Sequence, residues 1–312
     1  MFKKSGISST CALALIATLG CSQPPQEEMK SPESRTKEAL KGTTLEDALH
    51  AIDTQTLFNA VNNRSDEDKS RNDARNPIQT IAFFQISPEM AVAEALPGSG
   101  WYSKILANYL GADGQLYGIN YNDDMWPRFG FFSEEGIQKA IERSTKFPDM
   151  VSEFAEEAPQ SIGFTFNTAP DELSGTVDRV LFIRALHNLN RFESDAGTMT
   201  EALATAKMLL KDDGLVGVVQ HQAPETNLDK WSDGSAGYLK KSAVIEAFKK
   251  AGFELVSEAN FNENANDNPS ENDVVWRLPP SYSGTADDPV LKDKVNAIGE
   301  STRMTLLFKK AQ

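Results

Sequence analysis

Apolar and polar positions settle into an alternation from residue 90 onward. Residues 90–94 (Met-Ala-Val-Ala-Glu) form a short apolar run that reads as a buried strand. Pro97-Gly-Ser-Gly100 punctuates it with a turn. Residues 101–110 then carry Trp101, Ile105, Leu106, Tyr109 and Leu110 at helical spacing, with Gly111 as the stop. The same logic predicts strands over 115–120, 177–183, 215–220, 253–257 and 304–308. It predicts helices over 196–210 and around Val244, Ala247, Phe248 and Ala251, the latter capped by Gly252. Asp212-Asp213-Gly214 reads as the turn that closes the first of these. Strands alternating with helices predict an α/β fold built on a doubly wound, mostly parallel sheet. Two stretches break the rhythm. Residues 63–76 are charged and read as a solvated helix or arm that Pro77 stops. Residues 260–300 are rich in Asn, Asp and Pro, an insertion too long for a turn.

The first residues have a different character. Lys3 and Lys4 precede an apolar run over 11–19, far short of the roughly 20 residues that span a bilayer. Residues 1–20 therefore read as a signal peptide. Thr18-Leu-Gly-Cys21 resembles a bacterial lipoprotein cleavage box with Cys21 as the lipid-bearing residue, and ordinary cleavage after Gly20 is the competing reading. The expected destination is the cell envelope, lipid-anchored and facing the periplasm, or soluble in the periplasm. Ser22, rather than Asp, after Cys21 favours the outer membrane. Residues 21–42 read as a flexible tether and 43–312 as the folded domain, with His50 on the surface of a first short helix. Cys11 and Cys21 are the only cysteines, so the domain has no disulfide, thiolate nucleophile or thiolate metal site. With 31 Lys and Arg against 45 Asp and Glu, net charge is −14, which argues against nucleic acid as a partner.

Candidate chemistry gathers where strands end. The first strand runs into Glu94-Ala-Leu-Pro-Gly-Ser-Gly100. Glycines let backbone approach a ligand, the following helix offers free N–H groups, and an acidic strand end suits a cationic ligand. Ser103 holds the third glycine position of the dinucleotide fingerprint, which turns the reading away from NAD. Taken alone, the loop is a weak signal, and the competing reading is a tight strand-to-helix connection.

The order Glu94…Gly98-x-Gly100, a second strand, then Val177 through Asn188 resembles class I S-adenosylmethionine-dependent methyltransferases. The likeness narrows to exported bacterial predicted methyltransferases. It rests on Asp73-Ala-Arg-Asn-Pro77, Thr80-Ile-Ala-Phe-Phe84, Glu94 through Tyr102, Arg184-Ala-Leu-His-Asn188, His221, Gly237-Tyr238, Val275-Trp-Arg-Leu-Pro-Pro280 and Ile298 through Thr305. The resemblance implies a Rossmann-like methyltransferase fold with an antiparallel last strand and an irregular insertion before it. It implies that Glu94, Pro97, Gly98, Ser99, Gly100, Trp101, Tyr102 and Asn120 hold the cofactor. Two positions depart from the pattern. Leu96 replaces its first glycine, and Asn120 replaces the acidic residue that grips the ribose, a role Asp123 or Asp124 could take over.

Methyl transfer needs an aligned nucleophile and often a base. His187 and His221 follow the fourth and fifth strands and are the candidate bases, or else hydrogen-bonded loop histidines. Arg184 and Asn188 share that edge; the arginine could hold a carboxylate or phosphate, or pair with Glu94 or Asp178. Tyr238, Trp276, Pro279 and Pro280 could form a lid, Glu300 and Arg303 an ion pair anchoring the insertion, and 260–272 a solvated loop. No histidine or carboxylate spacing suggests a metal. The expected function is a methyltransferase acting on a small molecule or envelope component. The alternative, motivated by Leu96 and Asn120, is a non-catalytic small-ligand-binding protein on the same fold.

Overall fold

The structure is a computed structural model that describes residues 53–312. The predicted signal peptide, the tether, Cys21 and His50 lie outside the described residues. The strands are β1 (Ala91–Ala95), β2 (Gln115–Asn120), β3 (Gln160–Thr165), β4 (Val177–Ile183), β5 (Leu210–Ala223), β6 (Leu239–Lys240), β7 (Phe253–Ala259) and β8 (Arg303–Lys310). The longer helices are α1 (Thr54–Asn62), α2 (Pro77–Phe83), α3 (Ser103–Leu110), α4 (Glu134–Thr145), α5 (Phe147–Ser152), α6 (Leu186–Arg191), α7 (Thr198–Leu209), α8 (Lys241–Lys250) and α9 (Pro289–Ile298).

The sheet runs β3-β2-β1-β4-β5-β8-β7, with short β6 paired to the end of β5. Only β8 is antiparallel to its neighbours. The expected doubly wound, mostly parallel, Rossmann-like sheet with an antiparallel last strand is therefore what forms. Its central strands are buried on both faces, which is why they appear in sequence as unbroken apolar runs. Val92, Leu181, Val219 and Leu307 pack on one side against α1, α2 and α3. Ala93, Ile119, Phe182, Val218 and Leu306 pack on the other against α7 and α8.

This topology brings one edge together. β1, β2, β4 and β5 run parallel and end on the same side, placing Leu96, Asn120, Arg184 and His221 near one another in register. Because β8 runs the other way, its first residue does the same, with Arg303 opposite His221.

Two expectations change. Residues 63–76 are no free arm: they form helical turns over Asp66–Lys69 and Asn72–Arg75 that fold onto this edge, with Arg64 and Arg75 buried. Their guanidinium carbons sit 4.3 and 4.5 Å from the Trp101 ring centroid, so aromatic faces replace the expected water. The charged segment's last turn ends at Asn76, just before Pro77 as expected, and Pro77 also starts the next helix, α2, where its missing N–H costs nothing. Asp212 to Gly214 lie within a continuous β5 rather than ending a helix; the pairing jumps from Val177↔Leu210 to Arg179↔Leu215 to absorb them.

The insertion is ordered. Asn262 is 3% exposed and donates to Thr80 Oγ1 (3.2 Å) and Thr305 Oγ1 (2.9 Å). Asn264 donates to the carbonyls of Ile298 and Glu300, and buried Asp267 takes the Tyr238 hydroxyl and Arg277. The run predicted as solvated loop is thus a clamp, because its amides are tied to strand and helix ends.

Candidate functional site

Two cavities meet at the carboxyl-end edge of the sheet. The first, here the lid cavity, measures about 390 Å³ and lies between the β1 loop, β4, β5 and the insertion. The second, the sheet cavity, measures about 450 Å³ and lies between the β1 loop, the end of β2 and helices α4 and α5. Leu96, Pro97, Gly98, Ser99, Arg184 and Asn188 border both, so they form the neck between them.

The neck is backbone held in unusual conformations. Leu96, at the position where the family pattern has glycine, adopts φ +55°, and Arg184 adopts φ +58° one strand away. Side chains seldom take that region, and about 1 kcal/mol or more of strain accompanies it. Each is held by a hydrogen bond to the adjacent strand, Leu96 N–H to Ile119 O (2.7 Å) and Arg184 N–H to Val219 O (2.6 Å). Gly98, at φ +61°, has open space where a Cβ would be, its nearest neighbour being Leu96 O at 3.9 Å. It presents bare backbone to both cavities.

The sheet cavity contains Asn120, whose Oδ1 accepts the Tyr121 N–H at 2.9 Å and leaves its amide N–H groups free for a ligand. Tyr121 and Trp126 pack edge to face at 5.0 Å. Trp126 Nε1 and Ser144 Oγ are buried polar atoms without a hydrogen-bond partner, and both residues line this cavity. Orphaned buried donors are rare in folded proteins and call for a partner. Neither Asp123 nor Asp124 lines the cavity; both are exposed, and Asp124 pairs with Arg128 at 2.9 Å.

The lid cavity gathers Arg184, His187, Asn188 and His221 with Trp101, Trp276, Pro279 and Pro280. The imidazole centroids of His187 and His221 are 5.5 Å apart, and Trp276 sits 5.9 Å from His187. Gln220 orients His187: its amide donates to Gly237 O at 3.1 Å, so its Oε1 accepts from the His187 backbone (3.3 Å) and from Nδ1 (3.4 Å). That assigns the proton to Nδ1 and leaves Nε2 as the basic nitrogen. Burial, then Arg184, push His187 down to about 4 against the upward pull of Gln220. Burial, His187 and three arginines hold His221 well below its ordinary value, and its Nδ1 lies 2.6 Å from Ser301 Oγ. Both imidazoles are neutral near pH 7.

Other predicted residues stand nearby but do not line either cavity. Glu94 is buried behind the loop, where its carboxyl accepts the Ser103 hydroxyl at 2.6 Å. Burial pushes it up to about 7, outweighing Ser103 and Arg184. Gly100 lines neither cavity; a Cβ there would meet Phe154 and Met150. Tyr102 is buried and donates to Arg75 O at 3.2 Å. Tyr238 supports the lid from beneath, stacked on Trp231 at 5.4 Å and hydrogen-bonded to Asp267. Arg184 pairs with neither Glu94 nor Asp178; Asp178 instead binds Lys211 (2.7 Å) and the Ala91 N–H.

Sequence reasoning missed Arg71 and Arg75, which line the lid cavity, and Trp126 and Ser144 in the sheet cavity. Glu300 and Arg303 do pair, at 3.4 Å, but within a larger cluster: Glu300 also contacts Arg71 (2.6 Å) and Arg75 (3.5 Å). The Asn-Pro pair at 76–77, which turns the chain into α2, was the available signal that the charged segment folds back. Among the described residues no cluster of three or more metal-ligating side chains occurs.

No protein-family model matches the chain, and no curated protein does. The chain is similar to several solved structures at low identity. A SAM-dependent methyltransferase from Aquifex aeolicus is 16% identical, covering 65% of this chain and 89% of its own, at TM-score 0.41. The 4+2 cyclase SpnF is 14% identical over 76% of this chain and 80% of its own, at TM-score 0.45. Burkholderia thailandensis 1,6-didemethyltoxoflavin-N1-methyltransferase, solved with 1,6-didemethyltoxoflavin and S-adenosylhomocysteine, is 10% identical over 93% and 94%, at TM-score 0.41. At this distance their chemistry belongs to them alone.

Proposed function

We propose that this protein is an S-adenosylmethionine-dependent methyltransferase acting on a small molecule. The observation that carries the proposal is the neck. A single glycine loop at the end of β1 walls two adjoining cavities, so a cofactor in one meets an acceptor in the other beside Arg184 and Asn188. Ligands of doubly wound sheets lie at this edge.

The sheet cavity fits the cofactor in its donors. Trp126 Nε1 and Ser144 Oγ need acceptors, which a purine and a ribose supply. The Asn120 amide can donate to a hydroxyl, and Gly98 leaves room for the methionine part. Arg184 Nε, buried and without a hydrogen-bond partner, suits its carboxylate. When bound, the cofactor supplies a methyl group on a sulfonium. Across the neck, His187 Nε2 can take the proton leaving the acceptor; its depressed pKa keeps it neutral near pH 7 and makes it a weaker base than a free imidazole. Trp276, Pro279 and Pro280 cover the site and limit water.

The amino-terminal pattern supports export and anchoring through a lipid on Cys21, which places the activity in the cell envelope. A Cys21→Ser variant should then leave the membrane fraction. Calorimetric titration with S-adenosylmethionine and S-adenosylhomocysteine tests the activity. Micromolar binding, about −8 kcal/mol, is expected; no heat at millimolar ligand overturns the proposal.

A further inference from the structure

We infer that the lid cavity recognises an anion, so that the acceptor is a small acid: a carboxylate or phosphate monoester joined to a flat or apolar body. This names the substrate class of the proposed reaction and rests on that reading only for the acceptor's role.

The charge of the cavity wall is the first ground. Arg71, Arg75, Arg184 and Arg303 gather around a single contacting carboxylate, Glu300. Arg303 is largely satisfied, with Nη2 on Ala74 O (2.6 Å) and Nε on Ser301 O (3.1 Å). Arg71 donates its Nε to Glu300 at 2.7 Å. Arg184 has no ion-pair partner among the described residues, and its Nε is buried without a hydrogen bond. Arg75 is 2% exposed and keeps Nη1 without any partner. The other groups facing the cluster do not fill the need of Arg75: His187 and His221 are uncharged, Tyr102 is held protonated by burial, Glu94 lies beyond Arg184 with its raised carboxyl, and Asp267, which acts on Arg303, is already paired with Arg277 at 3.1 Å.

The second ground is that buried guanidinium N–H groups left unpaired are costly, and planar bidentate anions satisfy them best. A neutral acceptor would leave Arg75, which borders only the lid cavity, as it is. The same cavity is also lined by Trp276, Leu278, Pro279 and Pro280, apolar groups that suit the body of such an acid. Arginines are also among the groups that depress the two imidazoles, so an anion that offsets them strengthens His187 as a base when the acceptor arrives.

The test titrates the mature protein with benzoate and phenyl phosphate, using benzamide as the neutral control, with and without S-adenosylhomocysteine. The anions should bind at least tenfold more tightly than benzamide, and the tighter of the two names the anionic group. The NMR titration midpoint of His187 should rise on binding. Arg75→Gln should weaken the anions tenfold or more and leave S-adenosylhomocysteine binding unchanged, because Arg75 borders only the lid cavity. Should that variant fail to fold, the more exposed Arg71→Gln should weaken the anions in the same way. Equal binding of benzamide, or no binding of either anion, overturns the inference. Anion binding that survives without any affinity for S-adenosylhomocysteine would instead overturn the methyltransferase proposal and leave the anion pocket standing.

Discussion

The two cavities differ in how the chain builds them. The sheet cavity is assembled from neighbouring βα units, with most of its residues drawn from the ends of β1 and β2 and the helices before β3, and Arg184 and Asn188 added from the end of β4. The lid cavity joins residues far apart in sequence: Arg71 meets Glu300 across 229 positions, and His221 meets Ser301 across 80. One is a property of the parallel sheet. The other exists only when the amino-terminal turns and the insertion close on that sheet together. The contrast implies that the cofactor half should tolerate changes in the lid, while the lid half depends on a network of charges that cannot be altered singly.

Glu300→Gln should break this contrast most severely. It leaves three guanidinium groups, those of Arg71, Arg75 and Arg303, without their shared carboxylate. Burial alone would raise Glu300, yet Arg303, Arg75 and Arg71 outweigh it and hold it below its ordinary value. Removing one partner of such a buried cluster costs about 3–5 kcal/mol, which urea denaturation would measure. Added phenyl phosphate should restore part of the loss.

Gly98→Val attacks the neck. A β-branched side chain at φ +61° is strained, and its methyl groups would stand in the space shared by the cavities. Calorimetry should show cofactor affinity falling about a hundredfold, roughly 2.7 kcal/mol. Glu94→Gln separates the loop's electrostatics from its shape. The native carboxyl, at about 7, binds its proton more tightly than the unfolded chain at 4.5. Its stability is therefore complete below pH 4.5 and is lost as pH rises through 7. The Gln variant should equal the wild type near pH 4 and exceed it at pH 8 by about 3 kcal/mol. His187 slopes the other way, losing stability as pH falls from 6.5 towards 4, so the variant should also display a steeper acid limb. The smallest effect is expected from Asn120→Asp. One oxygen keeps the Tyr121 N–H and the other offers a charged acceptor to a ribose hydroxyl, which should tighten the cofactor by about three- to tenfold.

The same division explains what was legible in the sequence. Val177–Ile183 is buried along nearly its whole length, so it stood out as an apolar run. Edge strand β3 (Gln160–Thr165) is exposed along its first half and carries Gly163 beneath the chain of Ser144, so it lacked any such run. Helix α4 buries only Ala140 and Ser144 and was hidden among polar residues. The histidine and arginine at the end of β4 were found because strand ends mark the ligand edge. Arg75 was not, since charges within 63–76 look solvated until Glu300 and Trp101 arrive from elsewhere. Pairings of that range leave no local period to detect.

The central claim is that the cofactor occupies the sheet cavity. The chain has four tryptophans, and Trp126 alone among them carries a buried, unpartnered indole N–H in that cavity. The indole N–H signals of nitrogen-15-labelled protein, assigned with Trp126→Phe, should therefore be followed during titration with S-adenosylmethionine. A saturable shift of the Trp126 signal, larger than that of Trp101, Trp231 or Trp276, is the predicted result. An unmoved Trp126 signal at millimolar ligand, or a shift confined to Trp276 and Trp101, would contradict it.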